Sequence, residues 1–397
     1  MLGFIALLLY YLTPYFWTYR HLRNIPAPFA AQFTNLWLLY TCRKAKRCEY
    51  IHDAHKHLGP VVRIQPNHVS IADPEAIQVI YGHGNGLLKS SWYDAFVSVG
   101  RSIFNTRDRA AHARKRKIVS HTFSPRTVRQ LEPYVQQKIE VFVNRWDQIA
   151  TEERRQTDGY AQIECRQWFN FLAFDIIGDL AFGAPFGMLQ AGNDIVEVRT
   201  SLDASPTYLP AVTALTRRSE IAATIGAIPE LKPYAKWIPD PFFHKGIAGV
   251  QNLTGIAIAR VKHRIENPSL NKERKDLLAL LQEGRDDKGE YFGFEELAAE
   301  ALTLLIAGSD TTSNTFCAMM YHVASTPRVL KKLQEELDLA LPGDVKVPSF
   351  EMGSAFHGKF HKSLGGFIFE DTISLEAQFS VCQVTRFTIP GRSGGQT

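Results

Sequence analysis

Apolar residues recur at every third or fourth position along most of this chain, and that spacing predicts helices far more often than strands. The clearest run is 294–325, FEELAAEALTLLIAGSDTTSNTFCAMMYHVAS. Leu297, Ala301, Leu304, Gly308, Thr311, Thr315 and Met319 fall on one face of it, which the spacing predicts to be buried. At ~1.5 Å per residue such a helix runs roughly 48 Å. Its centre breaks the pattern: every residue from Gly308 to Thr315 is a poor helix former. Each costs up to about 0.7 kcal/mol relative to Ala, and Gly about 1. A local rule broken in the best-packed part of a helix marks a candidate functional site.

The rest of the chain reads in order. Leu2 to Tyr19 carries no charge and is rich in Leu, Tyr, Phe and Trp, which predicts a membrane anchor over residues 1–19. Arg20, His21 and Arg23 follow, so the positive-inside rule leaves the main body in the cytosol, beyond a basic, proline-stiffened hinge at 20–29. Residues 30–58 are helical in pattern. Val61–Gln65 and Val69–Ala72 alternate about Pro66 and Asn67, a hairpin signal, and Asp73-Pro74 opens a short helix. Residues 82–106 lack a period, and Trp92, Tyr93, Phe96 and Ile103 there are candidates for an aromatic pocket. Ser124-Pro125 is a helix start, and Trp168 to Gly183 is apolar nearly all round. Residues 186–253 read as irregular and proline-rich, with Trp237, Ile238, Phe242 and Phe243 as a lid that touches a membrane. Thr326-Pro327 opens a further helix, and beyond Met352 helical periodicity stops.

Composition narrows the function. The chain has 397 residues, 45% hydrophobic and 21% charged, an ordinary globular balance. A net charge of +5 without interleaved aromatic and basic residues gives no support for a nucleic-acid partner. Five scattered cysteines fit free thiols rather than a disulfide framework or a metal site. His52, His55 and His57 read as a solvated helix face, so no protein metal cluster is expected. Asp175 and Asp179, one turn apart in an apolar helix, are expected to bind local backbone or Arg groups. In the central helix, Gly308 leaves room for a flat ligand, while Asp310 beside the Thr311 hydroxyl suits a proton relay. Serines and threonines that simply bond back to the helix are the plainer alternative.

Ala307-Gly308-Ser309-Asp310-Thr311-Thr312 resembles the central-helix signature of the cytochrome P-450 haem-thiolate monooxygenases. His112 and Arg116, one turn apart in a basic segment, are similar to the family's aromatic-or-His, three residues, Arg motif. FDIIGDLAFG resembles one of its structural helices, and HARKRKIVSHTFSP looks most like fungal members that hydroxylate benzoate at the para position. The resemblance implies a mainly α fold, a large helical haem-monooxygenase domain with a small N-terminal β-sheet. It implies haem as cofactor, Asp310 and Thr311 as proton donors, and His112 and Arg116 on the haem propionates. Ala307 and Gly308 are expected to let haem and O2 approach. The partners implied are an NADPH-dependent reductase, a small aromatic or apolar substrate and the endoplasmic reticulum membrane.

The resemblance covers residues 1–352, with a partial domain at 30–352. Beyond it, no Glu has an Arg three residues on, and Cys382, in FSVCQVTR, lacks the Gly and Arg of the family's iron-ligand loop. The expectation is a non-family, poorly ordered tail at 353–397, with the C-terminal haem-ligand region missing and the chain poorly folded and inactive. The alternative function is then a non-catalytic, membrane-anchored remnant.

Overall fold

Prolines, glycines and capping side chains set the ends of most elements in the computed structural model, which describes residues 12–156, 160–266, 275–341, 343, 345–352 and 387–390. Residues 30–58 do not form one helix. A 3-10 turn at Phe29–Gln32 precedes α1 (Leu36–Arg43) and α2 (Arg47–Leu58), with Ala45 at φ 56° between them. A left-handed residue cannot lie within a continuous helix. The hairpin β1 (Val61–Gln65) and β2 (His68–Ile71) is antiparallel, with Val62 opposite Ser70. Asp73 accepts from the Glu75 amide at 3.0 Å to open α3 (Glu75–Tyr81). A 3-10 helix, Ser91–Phe96, lies in the aperiodic stretch before α4 (Arg109–Ser120). Ser124 Oγ accepts from the Thr127 amide at 3.2 Å, the expected cap of α5 (Pro125–Gln156).

Then come β3 (Tyr160–Ile163), α6 (Cys165–Phe182), α7 (Met188–Ala191) and the antiparallel pair β4 (Ile195–Val198) and β5 (Thr207–Pro210). The stretch that reads as irregular holds two helices, α8 (Ala211–Gly226) and α9 (Pro241–Glu266), around a 3-10 helix at Pro229–Trp237. Its prolines misled the pattern because they sit at element ends. Pro229 and Pro241 occupy first positions, where a missing N–H costs nothing. The remaining elements are α10 (Leu277–Glu283), α11 (Phe294–Ser325), α12 (Pro327–Ala340) and β6 (Phe387–Pro390), the last antiparallel to β3. The fold is mainly helical, as expected, and the described residues form three two-stranded sheets, of which β1–β2 is the expected N-terminal one.

Two expectations concern the termini, which lie mostly outside the described residues. Residues 1–11 of the expected anchor lie outside the described residues, and Pro14–Thr18 form a five-residue π-helix. Among the described residues, no helix is long and apolar enough to cross a membrane. Of the tail at 353–397, only Phe387–Pro390 are described, and there as a strand.

The chain divides into two compact units. The first comprises residues 1–113 and 216–250. Its core joins Leu38, Cys42, Ala54, Val62, Ile64 and Ala227, and the buried Gln65 amide donates to the Ala227 carbonyl at 2.7 Å. A second cluster packs Ile221, Ile225, Ala235 and Phe243 together. Trp92 lies flat against Gly226, where a Cβ would meet the indole at 2.5 Å.

The second unit comprises residues 114–215 and 251–397. Its core is built around α6, whose Phe171, Phe174 and Phe182 are almost wholly buried. α11 packs on α6, burying Leu297, Ala301, Leu302 and Leu305. Each of these leucines contributes about 1.5–3 kcal/mol from burial. Asp175 accepts from the Met188 and Leu189 amides at 3.1 and 3.0 Å, capping α7, and Asp179 pairs with Lys138 at 3.2 Å. Asp175 thus binds backbone, as expected, whereas the cation on Asp179 is a lysine rather than an arginine.

Candidate active site

The central helix is intact through its poor helix formers because their hydroxyls bond back along it. Ser309 donates to the Leu305 carbonyl at 2.6 Å, Thr311 to Ala307 at 2.6 Å, Ser313 to Asp310 at 3.1 Å and Thr315 to Thr311 at 2.9 Å. These bonds satisfy hydroxyls that would otherwise be costly to bury. Ser309 and Ser313 are indeed fully buried.

The buried face differs from the expected one. The inward stripe runs Leu302, Leu305, Ser309, Ser313 and Cys317, whereas Ala307, Thr311, Asn314 and Thr315 are exposed. Leu297 and Ala301 are buried as expected; Thr311 and Thr315 are not. Gly308 lies where α11 meets α6. A Cβ there would meet Ile177 Cδ1 and Cγ1 at 2.7 Å and Cβ at 3.1 Å. The glycine therefore lets α11 close onto α6, and the room beside its Cα is filled by Ile177 rather than open to a flat ligand.

Asp310 lies at the edge between the two faces, half-buried. Burial holds its carboxyl above the ordinary aspartate value, against the pull of the Arg166 charge and of the Asn314 side-chain amide, which donates to Oδ1 at 3.4 Å. A carboxyl with a raised pKa thus stands beside an outward-facing hydroxyl on the exposed side of the helix. Arg166 has no motif around it in the sequence, and only the packing of α6 on α11 reveals its effect on Asp310.

On α4, His112 is half-buried and Arg116 exposed, one turn apart. The basic run around them is not a free patch. Arg114 reaches Asp286 at 2.8 Å and Glu296 at 3.0 Å, Lys115 is buried against Glu296 at 2.5 Å, and Lys117 pairs with Asp287. Arg107 pairs with Asp94 at 2.7 Å. Arg109 and Arg116 remain exposed.

The donor set decides which part of a haem site is present. Ala307, Asp310 and Thr311 bring a small residue, an acid and a hydroxyl together on one stretch of α11. An axial thiolate is not found on that face among the described residues. Cys317 lies on the buried side of α11. Cys165 is also buried, its thiol pushed up to about 11 by burial first and then by neighbouring Cys317. Cys382 lies outside the described residues. Among the described residues there is also no cluster of His, Cys, Asp and Glu able to hold a metal ion, so His52, His55 and His57 form none.

Comparison with known proteins gives one consistent answer. The family model described as Cytochrome P450 matches residues 26–355. Benzoate 4-monooxygenase bphA of Aspergillus niger is 55% identical over 352 residues, 88% of this chain and 68% of that protein. Cytochrome P450 monooxygenase gsfF of Penicillium aethiopicum is 31% identical, over 82% of this chain and 62% of its own length. Tryprostatin B 6-hydroxylase of Neosartorya fischeri is 30% identical, over 85% and 56%.

Proposed function

The chain belongs to the cytochrome P450 family of haem monooxygenases, and from that premise we propose that it hydroxylates a small aromatic acid, benzoate at the para position being the reference reaction. The observation that carries this reading is the 55% identity to a benzoate 4-monooxygenase across 88% of the chain. Haem, when bound, supplies the activation of O2 with electrons from NADPH delivered by a reductase. The protein's own part is local. Asp310, its pKa raised by burial, supplies a proton, and Thr311 positions it through a hydroxyl that also accepts. Ala307 keeps the exposed stripe of α11 low, beside a Gly308 that sets the helix against α6. His112 and Arg116 offer a ring N–H and a guanidinium to the two propionates. The reading includes an endoplasmic reticulum location, supported by the uncharged stretch at 2–19 and the exposed Tyr234 and Trp237.

A second reading is favoured by the sequence after Met352, where Cys382 lacks the glycine and arginine neighbours of the family's ligand loop. In it the chain is a non-catalytic, membrane-associated relative, with residues 353–397 outside the family. One experiment separates the two. The full-length chain, expressed with a fungal reductase, is assayed for para-hydroxylated benzoate, and its reduced carbon-monoxide spectrum is recorded. Product together with a thiolate-type Soret band supports the enzyme. Neither product nor band, in protein that melts cooperatively, supports the second reading.

A further inference from the structure

The first unit buries more positive charge than its carboxylates balance. Arg218, on α8, is 6% exposed. Its Nη2 donates to the Phe96 carbonyl at 3.3 Å, its guanidinium lies 5.6 Å from the Phe96 ring centroid, and its Nε has no hydrogen-bond partner. Among the described residues, no carboxylate lies within salt-bridge reach of it. Burial pulls its pKa down to about 10.

The groups around it explain why no internal anion serves. Lys232 donates to the backbone carbonyls of Asp94 and Val97 at 2.8 and 2.5 Å. Burial lowers its pKa, with Asp94 opposing and Arg101 and Arg218 adding to the shift. Asp94 gives one oxygen to Arg101 at 2.8 Å and the other to Arg107 at 2.7 Å. On α8 itself, Glu220 is paired with Arg217 at 2.8 Å. Three cations therefore gather about a single aspartate whose oxygens are both taken, and Arg218 adds a fourth charge beside Lys232.

The same place is aromatic. Trp92 and Phe96 have ring centroids 4.4 Å apart, Tyr93 and Phe104 5.3 Å, and Phe96 and Phe104 5.6 Å. A buried, uncompensated guanidinium is expensive, and a fold retains one where an anion from outside completes it. Aromatic rings next to that charge suit an apolar anion rather than a hydrated one such as phosphate.

We infer that Arg218, supported by Lys232, binds the carboxylate of the aromatic acid and so selects acids over neutral aromatics at the ring cluster of Trp92, Tyr93, Phe96 and Phe104. This rests on the reading of the chain as a hydroxylase of small aromatic acids and adds the residue that would recognise the acid group. Arg218 is a specificity residue here; it takes no part in proton delivery.

The test is equilibrium dialysis of the full-length chain in detergent with labelled benzoate and labelled benzamide, its neutral isostere. Arg218→Gln is expected to weaken benzoate binding about 10- to 100-fold, the range for losing a charge-assisted hydrogen bond, with benzamide nearly unchanged. Arg218→Lys recovers part of the loss, and Lys232→Met gives a smaller loss of the same selectivity. Because Arg218→Gln removes an unpaired buried charge, its melting temperature should equal or exceed that of the wild type. Benzoate binding unaffected by Arg218→Gln overturns the inference and leaves the aromatic-acid reading standing. Equal losses for benzoate and benzamide overturn it too, since they show collapse of the pocket. If the wild type ignores benzoate but binds phenylacetate or cinnamate in an Arg218-dependent way, the benzoate reading fails and the inference stands. If it binds none of these acids, both fail.

Discussion

Replacing Gly308 with Ala separates two accounts of that glycine by the sign of one number. If its Cα faced open space for a ligand, the substitution would stabilise the helix by about 1 kcal/mol, the difference in propensity. The structure instead puts the new methyl 2.7 Å from Ile177 Cγ1 and Cδ1. Ile177 is 8% exposed and β-branched, so it has few rotamers to escape into. Overpacking of this kind costs about 1–3 kcal/mol. Against the propensity gain, Gly308→Ala is therefore expected to destabilise by roughly 0–2 kcal/mol. Ile177→Ala alone opens a cavity and costs about 2–5 kcal/mol. Combined, the alanine at 177 removes both clashing atoms and the methyl at 308 partly fills the space. The double variant should thus be about 1–3 kcal/mol more stable than the sum of the singles. Equilibrium urea unfolding of the full-length chain, followed by far-ultraviolet circular dichroism, gives all three values. Additivity within about 0.5 kcal/mol, or a Gly308→Ala chain more stable than wild type, would refute the packing account.

Further outcomes follow from the charges and thiols. Asp310 has a raised native pKa, so its ionisation costs native stability as pH rises from the ordinary 3.8 through the folded value. Asp310→Asn should raise the urea midpoint at neutral pH, and the gain should vanish in strongly acid buffer; a constant gain would reject the assignment. Glu296 behaves oppositely: burial raises its pKa, but hydrogen bonds from Lys115 and Arg114 outweigh it and hold the carboxyl low. The stability this gives is present above the ordinary 4.5 and is lost as pH falls through the folded value, so Lys115→Met should cost about 1–3 kcal/mol at neutral pH and flatten the acid limb of a pH–stability curve. Of the four described cysteines, iodoacetamide with peptide mass spectrometry should label Cys48 in the native chain and Cys42, Cys165 and Cys317 only after unfolding. Tyr234→Ser with Trp237→Ser should reduce vesicle binding of the chain, because both side chains are more than half exposed; unchanged binding would remove this patch as a membrane contact.

How far the sequence carried the argument depended on whether the deciding partners were near in sequence. The bounds of α11, the Ser124 cap and the hairpin at Pro66-Asn67 are local matters, and periodicity or turn chemistry exposed them. The orientation of α11 was not local. It depends on Ile177 of α6 filling the gap at Gly308, and no count of apolar positions reveals that Ser309 is buried and Thr311 exposed. The basic run at 107–117 looked like a patch because its acidic partners, Asp286, Asp287 and Glu296, lie far along the chain. Phe242 and Phe243 looked like part of an exposed lid, yet Phe243 is buried and Phe242 lies under the Arg43 guanidinium at 4.0 Å. The neighbouring acid and hydroxyl of Asp310 and Thr311 were legible as residue type and spacing; the charge of Arg166 acting on that carboxyl was not.

Most helices fray inward from their tips. In α11 the weakest residues, Gly308 to Thr315, occupy the middle, and one side of that middle is open to water at Ala307, Thr311 and Thr315. Amide hydrogens there should exchange with deuterium sooner than those near Leu297 to Leu305, so the rod opens at its waist before its shoulders. Whatever flat molecule lies across that waist acts as a splint, and its arrival should be visible as slowed exchange in this one segment.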